Sequence, residues 1–186
     1  MGSVVGILGT GAMGSAVARR LSDQGCRVLT LLEGRSEPSR ARARDAGMHG
    51  VEPAALAEAD LVLSIVPPAV AVTVAAGLAP VLSAARRPGA YIDCNAVSPA
   101  TVREIAALIA GTGWRFADAG IIGLPPTEAE GTVFYAAGEA AAAAGDDDTA
   151  AVLPRLRAAA VTATTALDGF ATHLAEARQA DSSFVA

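Results

Sequence analysis

A chain of 186 residues is the size of a single domain, and 52% hydrophobic but only 4% aromatic side chains indicate a core of Ala, Val, Leu and Ile. Its net charge of −5 at pH 7 argues against a nucleic-acid-binding surface, which would need clustered positive charge. Cys26 and Cys94 match no disulfide or metal spacing, and the N-terminus lacks the basic segment of a signal peptide. We therefore expect a cytoplasmic protein that binds no metal, nucleic acid or membrane.

Apolar runs of strand length alternate with helical patterns along the chain. Strands are predicted over residues 4–8, 27–32, 48–51, 61–66, 91–94, 115–119 and 132–137. Helices are predicted over residues 12–24, 38–46 and 99–110 and from residue 69 to about 85, with a helical turn over 53–58. This alternation predicts an α/β fold with a doubly wound, mainly parallel Rossmann-like sheet and helices on both faces.

A glycine-rich sequence, Gly9-Thr10-Gly11-Ala12-Met13-Gly14, lies between the first predicted strand and the first predicted helix. This is the position required of a G-x-G-x-x-G dinucleotide fingerprint. Gly9 would permit the tight turn, Gly11 would let the backbone approach a pyrophosphate, and Gly14 would let the helix pack closely on the strand. The free N–H groups at the start of the helix would hold the phosphates. The alternative is a structural glycine loop in another kind of α/β protein.

The residues after the second strand bear on which nicotinamide cofactor is bound. An acidic residue there favours NAD through the ribose hydroxyls, whereas an arginine favours the 2′-phosphate of NADP. The chain has both in Glu33-Gly34-Arg35-Ser36, and the glutamate follows the first glycine of the fingerprint by 24 residues. Arg35 and Ser36 could grip a 2′-phosphate, and Arg40 and Arg42 add positive charge. We favour NADP over NAD; in the alternative, the arginines form a solvated helix face.

The glycine loop resembles the G-x-G-x-M-G variant of the β-hydroxyacid dehydrogenase family, which includes 3-hydroxyisobutyrate dehydrogenase and the NADP-binding domain of 6-phosphogluconate dehydrogenase. Four further segments are similar to motifs of that family and follow in the same order. They are residues 64–68, similar to the loop beside the nicotinamide; 91–99, similar to D-x-S/N-x-x-x-P; 116–123, similar to the substrate loop D-A-P-V-S-G-G; and 131–138, similar to the last strand. Gly34-Arg35-Ser36 also resembles the N-R-T/S trio of NADP-using relatives.

The resemblance implies a role for each matching residue. The pyrophosphate would lie against the glycine loop and the 2′-phosphate against Arg35 and Ser36. Val66 and Pro67 would line the nicotinamide ribose, and Asn95 would reach the nicotinamide or the substrate, unless it only stabilises a turn. The implied cofactor-binding residues are Gly9, Thr10, Gly11, Ala12, Met13, Gly14, Glu33 (as the ribose-binding residue for NAD), Arg35, Ser36, Val66, Pro67 and Asn95, and the implied substrate loop is Ile121, Ile122 and Gly123.

Two departures from the family pattern limit what the resemblance implies. Ile122 replaces the serine of the substrate loop, and all 14 of the Lys and Arg residues are arginine. In the family, a lysine of a second, helical domain acts as general acid/base, so no catalytic residue is assigned here; His173 reads better as a solvated residue. We expect residues 1–160 to form the NAD(P)-binding domain and residues 161–186 a short helical tail, the remnant or truncated start of that second domain.

Three functions compete at this point. The first is an NADP-dependent oxidoreductase of the β-hydroxyacid dehydrogenase type, which transfers hydride between nicotinamide and a small hydroxy acid or related compound. The second is a non-catalytic NADP-binding module, and the third is an unrelated nucleotide or S-adenosylmethionine binder. The ordered motifs favour the first two. Apolar surface that the helical domain would otherwise cover predicts a homodimer or a tendency to aggregate.

Overall fold

The computed structural model describes residues 3–126 and 133–138 of the chain. Within these ranges the strands are β1 (Val4–Leu8), β2 (Arg27–Thr30), β3 (Met48–Gly50), β4 (Leu61–Ser64), β5 (Ala90–Asp93), β6 (Arg115–Ile122) and β7 (Val133–Ala137). The α-helices are α1 (Ala12–Asp23), α2 (Glu37–Asp45), α3 (Ala71–Ser83) and α4 (Pro99–Ala110), and short 3-10 helices cover Pro53–Glu58 and Pro68–Val70.

The strands form one sheet in the order β3-β2-β1-β4-β5-β6-β7. Neighbouring strands are parallel, except that β6 and β7 pair antiparallel. The strand order reverses between β1 and β4, and the crevice outside the carboxyl ends of the strands at such a reversal is where open α/β sheets bind ligands. The predicted doubly wound, mainly parallel sheet is confirmed, and the glycine loop that follows β1 lies at its crevice.

Helices cover both faces of the sheet and divide the core into two layers. On one face, α1 and α2 pack through Val17, Leu21 and Ala43 against alternate residues of the strands. On the other face, α3 and α4 pack through Leu82 and Ile109 in the second layer. Trp114 belongs to this second layer, and its indole Nε1 donates a hydrogen bond to the carbonyl oxygen of Leu82 at 3.0 Å. The chain has one tryptophan, so its fluorescence reports on this layer.

The predicted strand and helix bounds hold within a few residues, and two differences have local causes. β4 ends at Ser64, two residues earlier than predicted, because the N–H of Val66 donates to the side chain of Asn95 instead of a strand. β6 extends to Ile122, three residues further than predicted, because it continues to pair with β7. The predicted tail, residues 161–186, lies outside the described residues.

None of the helices within residues 3–126 and 133–138 is long and apolar enough to cross a membrane. The cytoplasmic location stays a prediction of the sequence.

Candidate functional site

Gly9 and Gly14 bring the first strand and the first helix together. Gly9 has a φ of 120°, which side chains disfavour, and a Cβ at this position would overlap the carbonyl oxygen of Ile65 in the loop after β4. A Cβ on Gly14 would overlap the carbonyl oxygen of Gly9. Larger residues at either position would therefore push the helix or the neighbouring loop away from the crevice.

Gly11 has open surroundings. It is the N-cap of α1, and no atom of the described residues lies within 4 Å of the place a Cβ would take. No side chain caps this helix and its first turn carries no acidic residue, so its first N–H groups have no side-chain acceptor. Such a helix start favours an anion. Ala12 is exposed beside it, whereas Thr10 is buried and Met13 packs against the core.

The segment after β2 carries the residues predicted to select the cofactor. β2 ends at Thr30, whose hydroxyl donates to the carbonyl oxygen of Ile7 at 2.7 Å. The strand end therefore holds a buried threonine where NAD-binding domains place an acidic residue. Glu33, Arg35 and Ser36 follow in an exposed turn.

Two cavities open beside this exposed turn. The larger, of about 860 Å³, lies between the turn and the segment after β3, and its lining includes Glu33, Arg35, Arg40 and Glu52. The smaller, of about 260 Å³, lies between the glycine loop and α3, and its lining includes Gly9, Arg35 and Thr73. Arg35 lines both cavities, whereas Glu33 lines only the larger one. Arg35 is thus the charged residue of the turn that borders the same cavity as Gly9.

Two arginines of α2 tie the surrounding loops in place. Arg40 Nε donates to the carbonyl oxygen of Arg35 at 3.0 Å. Arg42 Nε donates to the carbonyl oxygen of Thr10 at 3.1 Å, and Arg42 Nη2 donates to Ser39 Oγ at 3.0 Å. From the sequence, these two arginines were expected only to add positive charge near the cofactor. The contact between Arg42 and Thr10 spans 32 residues and depends on α2 packing beside α1, so local spacing carries no signal for it.

The side chain of Asn95 holds the loop that follows β4. Its Oδ1 accepts a hydrogen bond from the N–H of Val66 at 2.8 Å. Its Nδ2 donates to Ser64 Oγ at 3.0 Å and to Asp93 Oδ1 at 2.5 Å. Both hydrogens of the amide are therefore used inside the protein, and Asn95 itself is buried. This geometry favours the turn-stabilising role over direct donation to a ligand, while Val66 is buried and Pro67 is exposed at the crevice.

Asp93 is a fully buried carboxyl at the end of β5. Its Oδ2 has no hydrogen-bond partner among the described residues. Burial raises the pKa of Asp93 from 3.8 to about 6, and the hydrogen bond from Asn95 opposes this shift in part. Asp118 lies directly opposite Asp93 on β6, and burial raises the pKa of its carboxyl as well. The strand ends thus carry a row of polar side chains that begins with Ser64 on β4.

The predicted substrate loop lies at the end of β6. Ile121 is half-buried and packs against the core, whereas Ile122 is 49% exposed. Gly123 has a φ of 117°, which favours glycine. The segment therefore offers an apolar side chain and turning backbone where the family pattern has a hydroxyl.

The predicted site residues follow strands whose carboxyl ends lie at one edge of the sheet. The loops after β1, β2 and β4 border the crevice at the reversal of strand order, and Asn95 links the loop after β5 to them. A glycine turn, an uncapped helix start and a cavity bordered by arginine at this place define a dinucleotide-binding α/β domain.

The comparison with known families agrees with this class. Residues 4–165 match the family described as the NAD binding domain of 6-phosphogluconate dehydrogenase. Because the match covers most of the 186 residues, the chain belongs to this family, and the resemblance inferred from its motifs is confirmed. No curated protein sequence matches the chain.

Solved structures share the fold. MTH1747, a conserved protein of unknown function described as structurally similar to 3-hydroxyacid dehydrogenases, is 32% identical with a TM-score of 0.66 over 75% of this chain and 52% of its own. Mycobacterium tuberculosis 3-hydroxyisobutyrate dehydrogenase, solved with L-serine, is 24% identical, with a TM-score of 0.63; the match covers 86% of this chain and 53% of that protein. An imine reductase variant from Myxococcus stipitatus, solved with NAD⁺, is 21% identical, with a TM-score of 0.64; the match covers 97% of this chain and 64% of that protein. The chain spans about half the length of the first two.

Proposed function

We propose that the chain is the cofactor domain of an NADP-dependent oxidoreductase of the β-hydroxyacid dehydrogenase type. Such an enzyme transfers hydride between nicotinamide and a small hydroxy acid or a related compound, and the nicotinamide supplies the hydride chemistry. Family membership supports the class of cofactor. The substrate class is an extension from the family and from 3-hydroxyisobutyrate dehydrogenase, which has the same fold.

The single observation that favours NADP over NAD is the position of Arg35. Arg35 borders the cavity beside Gly9, whereas Glu33 stands three residues beyond the end of β2 and borders only the larger cavity. A guanidinium can hold a phosphate through two charge-assisted hydrogen bonds. The neighbouring Ser36 hydroxyl donates to Ser39 Oγ, and a bound phosphate oxygen would replace Ser39 as its acceptor. Thr30 occupies the strand end and its hydroxyl is already bonded, so no carboxylate stands there to bind ribose hydroxyls.

The remaining residues fit a dinucleotide that crosses the crevice. The uncapped start of α1 at Gly11 and Ala12 offers backbone N–H groups to a pyrophosphate. Val66 and Pro67 would border the nicotinamide ribose, and Asn95 would keep that loop in place through the N–H of Val66. Residues 121–123 would lie towards the substrate. No proton-transferring side chain is assigned, and residues 1–160 are proposed as the domain that holds the cofactor.

Calorimetric titration with NADPH and NADH tests the cofactor. We expect the unmodified chain to bind NADPH at least about tenfold more tightly than NADH, a difference of about 1.4 kcal/mol. Arg35→Ala should remove most of this preference and leave NADH binding nearly unchanged, because only the 2′-phosphate contact is lost. Arg103→Ala, which removes one exposed charge on α4, is the matched control. Tighter binding of NADH would instead assign the ribose to Glu33.

A non-catalytic NADP-binding module is the second candidate. It is favoured by Ile122, which places an exposed apolar side chain where the family's substrate loop has a serine hydroxyl. Turnover of a panel of small hydroxy acids with NADP separates the two candidates. Activity of this chain supports the enzyme, whereas tight NADPH binding without turnover supports the module for this chain alone. The predicted homodimer is tested in parallel by light scattering, where a monomer at high concentration would contradict it.

A further inference from the structure

A chain of hydrogen bonds joins the turn after β2 to the glycine loop. Ser36 Oγ donates to Ser39 Oγ at 3.2 Å, and Ser39 Oγ accepts from Arg42 Nη2 at 3.0 Å. Arg42 Nε then donates to the carbonyl oxygen of Thr10 at 3.1 Å. Arg42 on α2 therefore contacts the backbone of the glycine loop and Ser39 of its own helix, and Ser39 in turn accepts a hydrogen bond from Ser36 in the turn after β2.

The direction of these bonds depends on the shape of a guanidinium. Nε and Nη2 lie on one edge of a planar, always-charged group, so the two donors keep a fixed angle and separation. Lysine has the same charge but a single ammonium at the end of a flexible chain, and it cannot reproduce two bonds of fixed direction. Because Thr10 is buried, its carbonyl oxygen offers Arg42 a well-fixed acceptor.

The neighbouring arginines of α2 have different partners. Arg40 bonds to the carbonyl oxygen of Arg35 within the turn itself. Arg44 makes an exposed ion pair with Glu37 at 2.7 Å, and this pair stays within α2. Among the described side-chain hydrogen bonds, the Arg42–Thr10 bond is the one that connects α2 to the glycine loop.

We infer that Arg42 is a positioning residue that aligns the serine pair, and with it the 2′-phosphate subsite, against the glycine loop that holds the pyrophosphate. The inference rests on the proposed function. NADPH would engage both phosphate subsites at once, so its binding depends on their spacing. NADH lacks the 2′-phosphate and, of these two subsites, uses only the glycine loop, which Gly9 and Gly14 hold by close backbone packing.

Titrations of three variants with NADPH and NADH test this inference. Arg42→Ala should weaken NADPH binding about tenfold or more and NADH binding less than about threefold, because the two directed bonds that align the serines with the glycine loop are lost. Arg42→Lys should behave like Arg42→Ala, since the charge remains but the two directed bonds are lost. Arg44→Ala removes the same charge from the same helix and should bind both cofactors as the unmodified chain does.

Two further results would overturn the inference. Recovery of NADPH affinity in Arg42→Lys would assign Arg42 a charge effect only, and equal losses for NADPH and NADH would assign it to the fold of the loop alone. Thermal unfolding followed through Trp114 fluorescence shows whether a weakly binding variant is still folded. If the unmodified chain binds neither cofactor, the proposed function fails and the inference falls with it. If the unmodified chain prefers NADPH while the Arg42 variants bind normally, the inference alone fails.

Discussion

The two ends of the crevice are built in different ways. At the β1 end, the site consists of backbone: Gly9 and Gly14 allow close packing, and Gly11 leaves an open, uncapped helix start. At the β4–β5 end, the site is held by buried side chains, because Asn95 binds the N–H of Val66 and is itself held by Asp93. Exposed arginines border the first end, whereas a buried carboxyl lies behind the second.

This difference determines how the stability of each end should respond to amino-acid substitution. Backbone packing at Gly9 and Gly14 fails when any Cβ is added, whatever the side chain, since the overlap is with carbonyl oxygens. A buried polar network fails when one partner is removed, because the remaining donors and acceptors have no water to replace it. Substitutions can therefore separate a steric requirement at one end from a hydrogen-bonding requirement at the other.

The largest effect is expected at Gly9. Gly9→Ala should lower the free energy of unfolding by about 4 kcal/mol, because it combines a strained φ with overlap onto the carbonyl oxygen of Ile65. Gly11→Ala should change stability by less than about 0.5 kcal/mol, since its surroundings are open, yet weaken cofactor binding. Urea unfolding followed by Trp114 fluorescence measures both. Equal stability losses in the two variants would contradict the distinction between Gly9, which is in close backbone contact, and Gly11, which has open surroundings.

A smaller loss is expected at the other end. Asn95→Ala should lower the free energy of unfolding by about 3 kcal/mol, because the N–H of Val66 and the Asp93 carboxyl lose their partner in a buried place. Asn95→Asp keeps an acceptor for Val66 but sets a second carboxyl against Asp93, so its stability should fall further as the pH rises. Urea unfolding at two pH values distinguishes the variants. An unchanged stability in Asn95→Ala would mean that the network does not hold the loop.

The residues of the β1 end could be predicted from the sequence more completely than those of the β4–β5 end. The reason is again that backbone packing builds the first end and buried side chains build the second. A left-handed turn and close helix packing require glycine, so Gly9 and Gly14 leave a visible spacing in the sequence. The mainly parallel sheet follows from strands that alternate with helices, and parallel strands place the loops after them at one edge. In contrast, the Asn95–Val66 bond spans 29 residues and the Arg42–Thr10 bond spans 32, and each depends on tertiary packing. Spacing within a motif cannot predict such pairs.

The smallest change over a single step of one pH unit is a dependence of stability on pH that originates at Asp93. Its pKa is raised from 3.8 to about 6, so between these values the folded chain retains a proton that the unfolded chain has lost. The free energy of unfolding should therefore fall as the pH rises from about 4 to about 6, by at most about 1.4 kcal/mol per pH unit from this group. Unfolding of the unmodified chain and of Asp93→Asn across this range measures the difference, which should grow up to about pH 6 and then stay constant.

A second carboxyl provides the control for this pH dependence. The charge of Asp118 contributes to the raised pKa of Asp93, although burial is the larger cause. Asp118→Asn should therefore shift the upper limit of the Asp93 effect to lower pH without abolishing it. If the curves of the unmodified chain and of Asp93→Asn ran parallel from pH 4 to 6, Asp93 would titrate as an ordinary carboxyl. The hydrogen bond from Asn95 would then be made to an ionised Asp93 over most of this range, and the contrast with the β1 end would rest on the Asn95 hydrogen bonds rather than on a buried neutral carboxyl.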